Sequence, residues 1–415
     1  MTRFLPWLMW GLAATFYCYG FFQRVAPGVM VQELMRDFAV GAAITGVLSS
    51  LYFYAYASLQ IPIGLMLDRI GPRKMLAASA LVAALGSYLF SIASDVSLAY
   101  VGRALIGIGT AVTWVGALKV ASVWFPPKRF ALLTGLTMAM GMTGAVGGQV
   151  PLGLAVASIG WRGTLVGAAL IALLLSLAFG LIVRDRPPGA GQQAYDPEEG
   201  SKLWSGVALA LKEPQTYLTS LFGALLAAPM LTFAGLWGVP YLMTRYDVAR
   251  PEAAGAVSLM LVGWGVGSPI FGWLSDHLHR RKLPMLTASA ASLVLTLVWL
   301  YLPVPLGVLS VLLLVQGVCA GGMVLLFATA REHNPNWAAG ATLGIVNMAV
   351  MGTGAIFQSL TGWLLDLGWT GDLVNGARVY SMEAWQSAFI VLPSCLIASL
   401  IGALLVKETF CKPQK

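Results

Sequence analysis

A chain of 415 residues that is 58% hydrophobic and only 10% charged departs from the composition of soluble domains, where about a quarter of residues are charged. A formal charge of +8 would point to nucleic acid in a soluble protein. Here apolar runs of about 20 residues recur along nearly the whole length, so a multi-pass helical membrane protein is expected, with the positive charge gathered on one membrane face. No period-two alternation of apolar and polar residues is visible, which argues against an outer-membrane barrel.

The first run, MTRFLPWLMWGLAATFYCYGFF, sets Arg3 before an apolar stretch as a signal peptide does. It is too long for one and lacks an A-x-A-like cleavage site, so it reads as a retained helix. Helices are predicted at 5–31, 42–67, 75–93, 97–125, 128–156 and 162–183. A second set follows at 215–243, 254–275, 283–303, 305–330, 337–366 and 384–407. The polar stretch 184–214 between the sets is Pro- and Gly-rich at its start and reads as a linker; its second part suits an interfacial helix. The expected organisation is an all-α membrane protein of twelve transmembrane helices: a six-helix half at 1–183, a linker at 184–214, and a second half at 215–415 that ends in a short tail. Three of the four cysteines (Cys18, Cys319, Cys395) lie in apolar spans and Cys411 in the tail, with no disulfide framework or zinc spacing.

With both termini inside, seventeen Lys and Arg fall on the inner side and five on the outer, leaving three of the 25 within the spans. The positive-inside rule therefore predicts cytoplasmic termini.

Residues 64–74 read GLMLDRIGPRK, and 272–282 read GWLSDHLHRRK. Gly64, Asp68, Arg73 and Lys74 pair with Gly272, Asp276, Arg281 and Lys282, each 208 positions on. Each turn joins the second helix of its half to the third. A weaker echo links MTGAVGGQ (142–149) to GTGAIFQ (352–358). The chain therefore reads as two parallel halves made by duplication, an architecture that suits a site where they meet.

The pattern G-x-x-x-D-R-x-G-x-R-K, here Gly64, Asp68, Arg69, Gly71, Arg73 and Lys74, resembles the hallmark loop of the major facilitator superfamily, and the resemblance extends over the whole chain. It implies the major facilitator fold and alternating access. It also implies that Asp68 holds the inner ends of the two halves together, through a helix N-terminus and nearby Arg side chains, with Gly272, Asp276 and Arg281 as a degenerate second copy. A solvated turn obeying positive-inside accounts for the Arg and Lys but not for an Asp at matching places in both halves. A finer resemblance, carried by FYCYGFFQRVAPGVM, YFYAYASLQIPIGLMLDRIGPRK and LKVASVWFPPKRFALLTGL, is to a bacterial branch that includes phagosomal amino-acid transporters. That branch often carries an acidic residue near where Gly20 stands here, so a role for such an acid does not transfer.

Charges inside apolar spans are expensive and mark function by default. There are three. Arg24 shares a helix face with Tyr17, Phe21 and Gly28; it either lines a cavity or snorkels to the outer headgroups. Arg103 opens RALIGIG in the fourth helix, where the superfamily often has Arg; the matching stretch in the tenth, QGVCAGG, has Gln316. Bonding to a neighbouring helix and contacting substrate are both open for Arg103, as cavity and snorkelling are for Lys119. Tyr52, Tyr56 and Gln60 follow at i, i+4 and i+8 in the second helix. Gln149, Trp237, Tyr241, Asn347 and Gln358 complete the polar and aromatic candidates for an apolar pocket with few polar contacts, although each aromatic alone is as well explained by packing. The glycines of GMTGAVGGQVPLG fit close helix packing better than the antiporter signature they partly resemble.

No Asp or Glu falls at mid-span; Glu33, Asp37 and Asp366 come nearest and are expected to touch water. There is no Walker loop, metal-ligand set or nucleophile motif, so no enzyme and no cofactor is expected. A field that is only positive favours anions, and a carboxylate can bind Arg through two hydrogen bonds. The expected function is a secondary or facilitative transporter in the bacterial inner membrane. It acts as a monomer on a small anionic or zwitterionic organic solute, without nucleic acid or a dedicated proton-carrying carboxylate. Two rivals remain. A multidrug or metabolite efflux pump requires an embedded acid. A non-transporting receptor or scaffold requires an output domain or an inactivated gate motif.

Overall fold

The computed structural model describes residues 4–187 and 197–413. The side chains of Asp68, Pro127, Ala131, 197–203 and Asn336 lie outside the description. So do three of the inner-side cations that entered the charge count: Arg3, Lys202 (side chain only) and Lys415.

Among the described residues there are twelve helical spans. Nine stretches qualify by length and hydropathy, and one of these, Leu132–Leu181, is 50 residues long and turns at Gly160 (φ 73°) into spans 5 and 6. Leu5–Val25 is span 1, and 42–70 is span 2, built from Ala42–Ser58 and Pro62–Ile70. Span 3 is Pro72–Ser91, and span 4 is Val96–Thr110 followed by Thr113–Trp124. Span 5 begins with Phe130–Gly147. Span 7 runs over Pro214–Pro229, Met230–Trp237 and Gly238–Tyr246. Spans 8 and 9 are Arg250–Leu278 and Lys282–Tyr301. Span 10 joins Leu306–Ala320 to Leu325–His333, span 11 is Ala339–Leu367, and span 12 joins Met382–Ala388 to Val391–Leu405. The linker carries the helix Pro197–Lys212.

Local chemistry sets the ends. Pro62, Pro72 and Pro214 each stand in a first turn, where the missing N–H costs nothing. Asp95 caps span 4 by accepting from the N–H groups of Ser97 and Leu98, and Ser381 caps span 12 through the N–H of Ala384. Span 1 was expected to run to residue 31 but stops at Val25. Pro27 cannot continue the ladder and disfavours α geometry at the residue before it, so Ala26–Val29 tightens to a 3₁₀ turn and a separate helix, Val31–Asp37, follows.

The chain forms two compact units: Met1–Val25 with Leu51–Gly200, and Ala26–Ser50 with Ser201–Lys415. In the first, spans 1 and 5 meet at Gly144, where an added Cβ would lie 2.0 Å from the Cys18 carbonyl oxygen. In the second, spans 8 and 10 meet at Gly317, where a Cβ would lie 2.0 Å from the Met260 carbonyl oxygen. Such approaches need residues without side chains. Gly144→Ala should cost about 1–3 kcal/mol by overpacking, read as a lower melting temperature of the purified protein; an unchanged melting temperature would place slack between spans 1 and 5 that the backbone does not show.

Candidate functional site

Spans 1, 4, 7 and 10 are interrupted at matching places in the two halves, whereas the breaks in spans 2, 5 and 12 have no counterpart. Span 1 gives way to 3₁₀ at Ala26–Val29; the offset of the motif loops carries residue 26 to 234, inside the π-helical stretch Met230–Trp237 of span 7. Span 4 breaks between Thr110 and Thr113; the same offset leads to 318–321, where span 10 enters the 3₁₀ turn Gly321–Val324. Paired interruptions in the two halves are the strongest backbone pointer to a transport site, and π-helical widening often marks function.

In the first unit the interruption of span 1 follows directly on Arg24. This residue is 5% exposed, so it does not reach toward headgroups. Its guanidinium carbon lies 4.2 Å from the Phe21 ring centroid, 5.3 Å from that of Tyr56 and 5.9 Å from that of Tyr52. Tyr17 packs on Phe21 at 5.0 Å and on Trp114 at 5.1 Å. Phe21, Tyr52 and Tyr56 thus form an aromatic cage around the Arg24 cation, and Tyr17 backs the cage through Phe21. The Arg24 Nε has no hydrogen-bond partner.

Arg103 is fully buried. Its Nη1 donates to the Gln23 carbonyl at 2.7 Å, and its guanidinium carbon lies 4.9 Å from the Tyr52 centroid. Its Nε and Nη2 have no partner. The Gln23 amide donates to Tyr19 Oη at 2.7 Å and to Ser87 Oγ at 2.9 Å, while its Oε1 is unpartnered. Gln23, Tyr19 and Ser87 went unnoticed in the sequence. Their signal was there, as polar groups in apolar runs, but they carry no charge to draw attention. Gln60 donates to the carbonyls of Tyr56 and Ala111, both at 3.4 Å, and so braces the breaks in spans 2 and 4. Lys119 is half-buried in Thr113–Trp124.

In the second unit the candidates are tied to the π stretch. Gln358 Nε2 donates to the Leu231 carbonyl at 2.8 Å, and Trp237 Nε1 donates to the Gln358 carbonyl at 3.0 Å. Tyr241 belongs to an aromatic cluster with Phe233, Trp299, Trp385 and Phe389 and accepts from Arg245. Gln316 is fully buried, and neither amide atom finds a partner. Asn347 is half-buried in span 11.

The second unit also holds the segment that follows span 1 and the start of span 2, away from the motif loop. The Asp366 carboxylate accepts from the N–H groups of Ala42 (3.1 Å) and Ala43 (2.9 Å), from Tyr380 Oη (2.6 Å) and from Arg378 Nη1 (3.2 Å). Glu33 pairs with Arg250. Both acids were expected at water; they are only 20% and 17% exposed. Beside Asp366, burial first and the carboxylate second push the Tyr380 phenol well above its ordinary pKa.

The motif loops share a device that the sequence did not reveal. Asp185, after span 6, accepts from the Arg73 N–H at 2.8 Å, and the Arg73 guanidinium donates to the Gly180 carbonyl. Glu408, after span 12, accepts from the N–H groups of Arg281 (2.8 Å) and Lys282 (3.0 Å), and Lys282 Nζ donates to the Leu404 carbonyl. Each half thus seats a carboxylate from the end of its sixth span on the start of its third. Burial pushes the Glu408 carboxyl up, but the N–H groups of Arg281, Lys282, Phe410 and Thr409 outweigh it and hold the pKa below the usual range. Gly71 needs its glycine: φ is 86°, and a Cβ would meet Asp185 at 2.8 Å. Its counterpart, His279, adopts φ 51° with a full side chain. Arg281 is pulled into pairs with Asp276 and Glu332 at 2.7 Å each. Arg69 and Lys74 are exposed, and an added Cβ at Gly64 or Gly272 would meet nothing within 4 Å. The Asp68 latch falls on a side chain outside the described residues.

The family model described as Major Facilitator Superfamily matches residues 12–249 and 221–413. The chain belongs to the Major Facilitator Superfamily. Like others of that superfamily it is a multi-pass membrane protein and a small-solute transporter, not an enzyme. It is 23% identical to a probable sulfoacetate transporter of Cupriavidus necator over 68% of each chain. It is 24% identical to the membrane sensor protein UhpC of Escherichia coli over 94% of this chain and 89% of that one. A solved bacterial homolog of the human lysosomal transporter Spinster superposes with a TM-score of 0.77 over 97% of this chain and 96% of that chain, at 17% identity; this likeness concerns the major facilitator fold alone.

Proposed function

We propose that this transporter moves a small organic anion, bearing a carboxylate or a related acidic group, across the bacterial inner membrane by alternating access, as a monomer with both termini in the cytoplasm. The observation that carries the reading is Arg24: a buried cation in an aromatic cage, next to a helix break, with an unfilled N–H and no acid paired with it. An anion supplies the missing partner through charge-assisted hydrogen bonds. A relative named for sulfoacetate is in keeping with an anionic cargo. Among the described residues the acids lie at or beyond the ends of the spans, which speaks against a pump built on an embedded carboxylate. It favours facilitated diffusion, anion exchange, or symport in which the solute carries the proton.

The test is uptake of labelled organic acids and amino acids by proteoliposomes, after a thermal-shift screen of the purified protein has chosen the solutes. Saturable movement of an anion supports the reading. Saturable movement of cations or neutral solutes alone rejects it, and binding without movement marks a sensor. For the gate, Asp68→Asn should cut initial rates at least tenfold while leaving folded protein in the membrane; normal rates would remove Asp68 from the gating role.

A further inference from the structure

Arg24 is not the only buried cation of the first unit without a counter-charge. Arg103 is more deeply enclosed, and two of its three guanidinium nitrogens bond nothing. The groups acting on Arg24 are Tyr52, Tyr56 and Tyr17, and those acting on Arg103 are Tyr52 and Tyr19; none is an acid. Both guanidinium carbons lie within 6 Å of one ring, that of Tyr52, at 5.9 and 4.9 Å. A buried charge is tolerated when it is paired and hydrogen-bonded. The rings of Phe21, Tyr52 and Tyr56, the hydroxyls of Tyr52 and Tyr56 at Arg24 and one carbonyl at Arg103 are all neutral and offset only part of that cost. A monoanion on Arg24 would leave Arg103 uncompensated.

We propose that the site is built for a dianion, a solute with two acidic groups on a short carbon chain, whose first group pairs with Arg24 and whose second is compensated by Arg103. This rests on the reading of Arg24 given above and narrows it. Tyr52 touches both cations, and its phenol donates to the Gly20 carbonyl at 3.1 Å. Arg103 is sealed in the conformation described, so a change of the Tyr52 rotamer is the step that opens it to the second acidic group. The free acceptor Gln23 Oε1, on the residue next to Arg24, gives a hydroxyl on the connecting chain a place to donate.

The experiment compares diacids with their own monoamides, which keep size and shape and remove one charge. Succinate against succinamate, malonate against malonamate, and sulfoacetate against sulfoacetamide are titrated onto the purified full-length protein at fixed ionic strength, with thermal shift as readout. The expected result is a diacid that binds at least tenfold tighter than its monoanionic partner. Arg103→Gln should bring that ratio toward one while monoanion binding persists; Arg103→Lys, which keeps the charge and a donor for the Gln23 carbonyl, should retain most of the preference and stands in if the Gln variant does not fold. A tightest ligand that is a monoanion, or a dianion preference that survives Arg103→Gln, overturns the proposal while leaving anion transport intact. Binding by no member of the panel overturns the anion reading and this one together.

Discussion

Arg24→Ala should weaken solute binding by about 2–5 kcal/mol, the range for truncating one partner of a buried charge pair, or at least thirtyfold in Kd. The side chain is enclosed by Phe21, Tyr52 and Tyr56, so little else competes for its charge. The loss should be largest for the solute that the wild type binds best. Arg24→Lys should also fail to restore affinity, since an ammonium lacks the planar fork that meets a carboxylate and stacks on aromatic rings. Titration of the purified variants, with melting temperature as a check on folding, decides it. Wild-type affinity in Arg24→Ala would reduce the cage to packing.

Asp366→Asn should loosen the start of span 2. The carboxylate accepts two N–H groups at the start of Ala42–Ser58, where helix polarity favours a negative charge. It also gathers Tyr380 and Arg378. Hydrogen bonds to charged groups contribute about 1.5–3 kcal/mol. Exchange of the Ala42 and Ala43 amides with deuterated water, a measure of local opening, should therefore quicken by about tenfold or more. Tyr380→Phe removes one donor, keeps the ring and should give a smaller effect of the same sign. Equal exchange in all three proteins would mean that packing alone holds this end, through contacts such as the one at Gly362, where a Cβ would come within 2.3 Å of the Ala42 carbonyl oxygen.

The spans were legible because a bilayer demands long apolar runs, and the duplication because charged turns stand out between them. The nearness of Arg24 and Tyr17 was legible because the helical period sets them on one face; Tyr52 and Tyr56 stood out as a face of the second span, but nothing in the sequence joined them to Arg24. The harder features depend on distance or on backbone geometry. The caps by Asp185 and Glu408 join residues more than a hundred positions from the turns they seat, and nothing in either neighbourhood announces the pairing. The π stretch and the turn at Gly160 leave no compositional mark. The helix expected over 5–31 ends at Val25 because Pro27 breaks it, and Glu33, beyond the break, pairs with Arg250.

The division of the chain gives Arg24 a mechanical position as well as a chemical one. The first unit ends its opening segment at Val25, and the next residue, Ala26, already belongs to the second. Arg24 stands two residues before the 3₁₀ turn, where the backbone leaves the α-helical ladder. The chain that follows leads to Val31–Asp37 and Ala42–Ser58, the segments fastened by Glu33 and Asp366. Pro27 therefore keeps the cage and those segments from sharing one rigid helix.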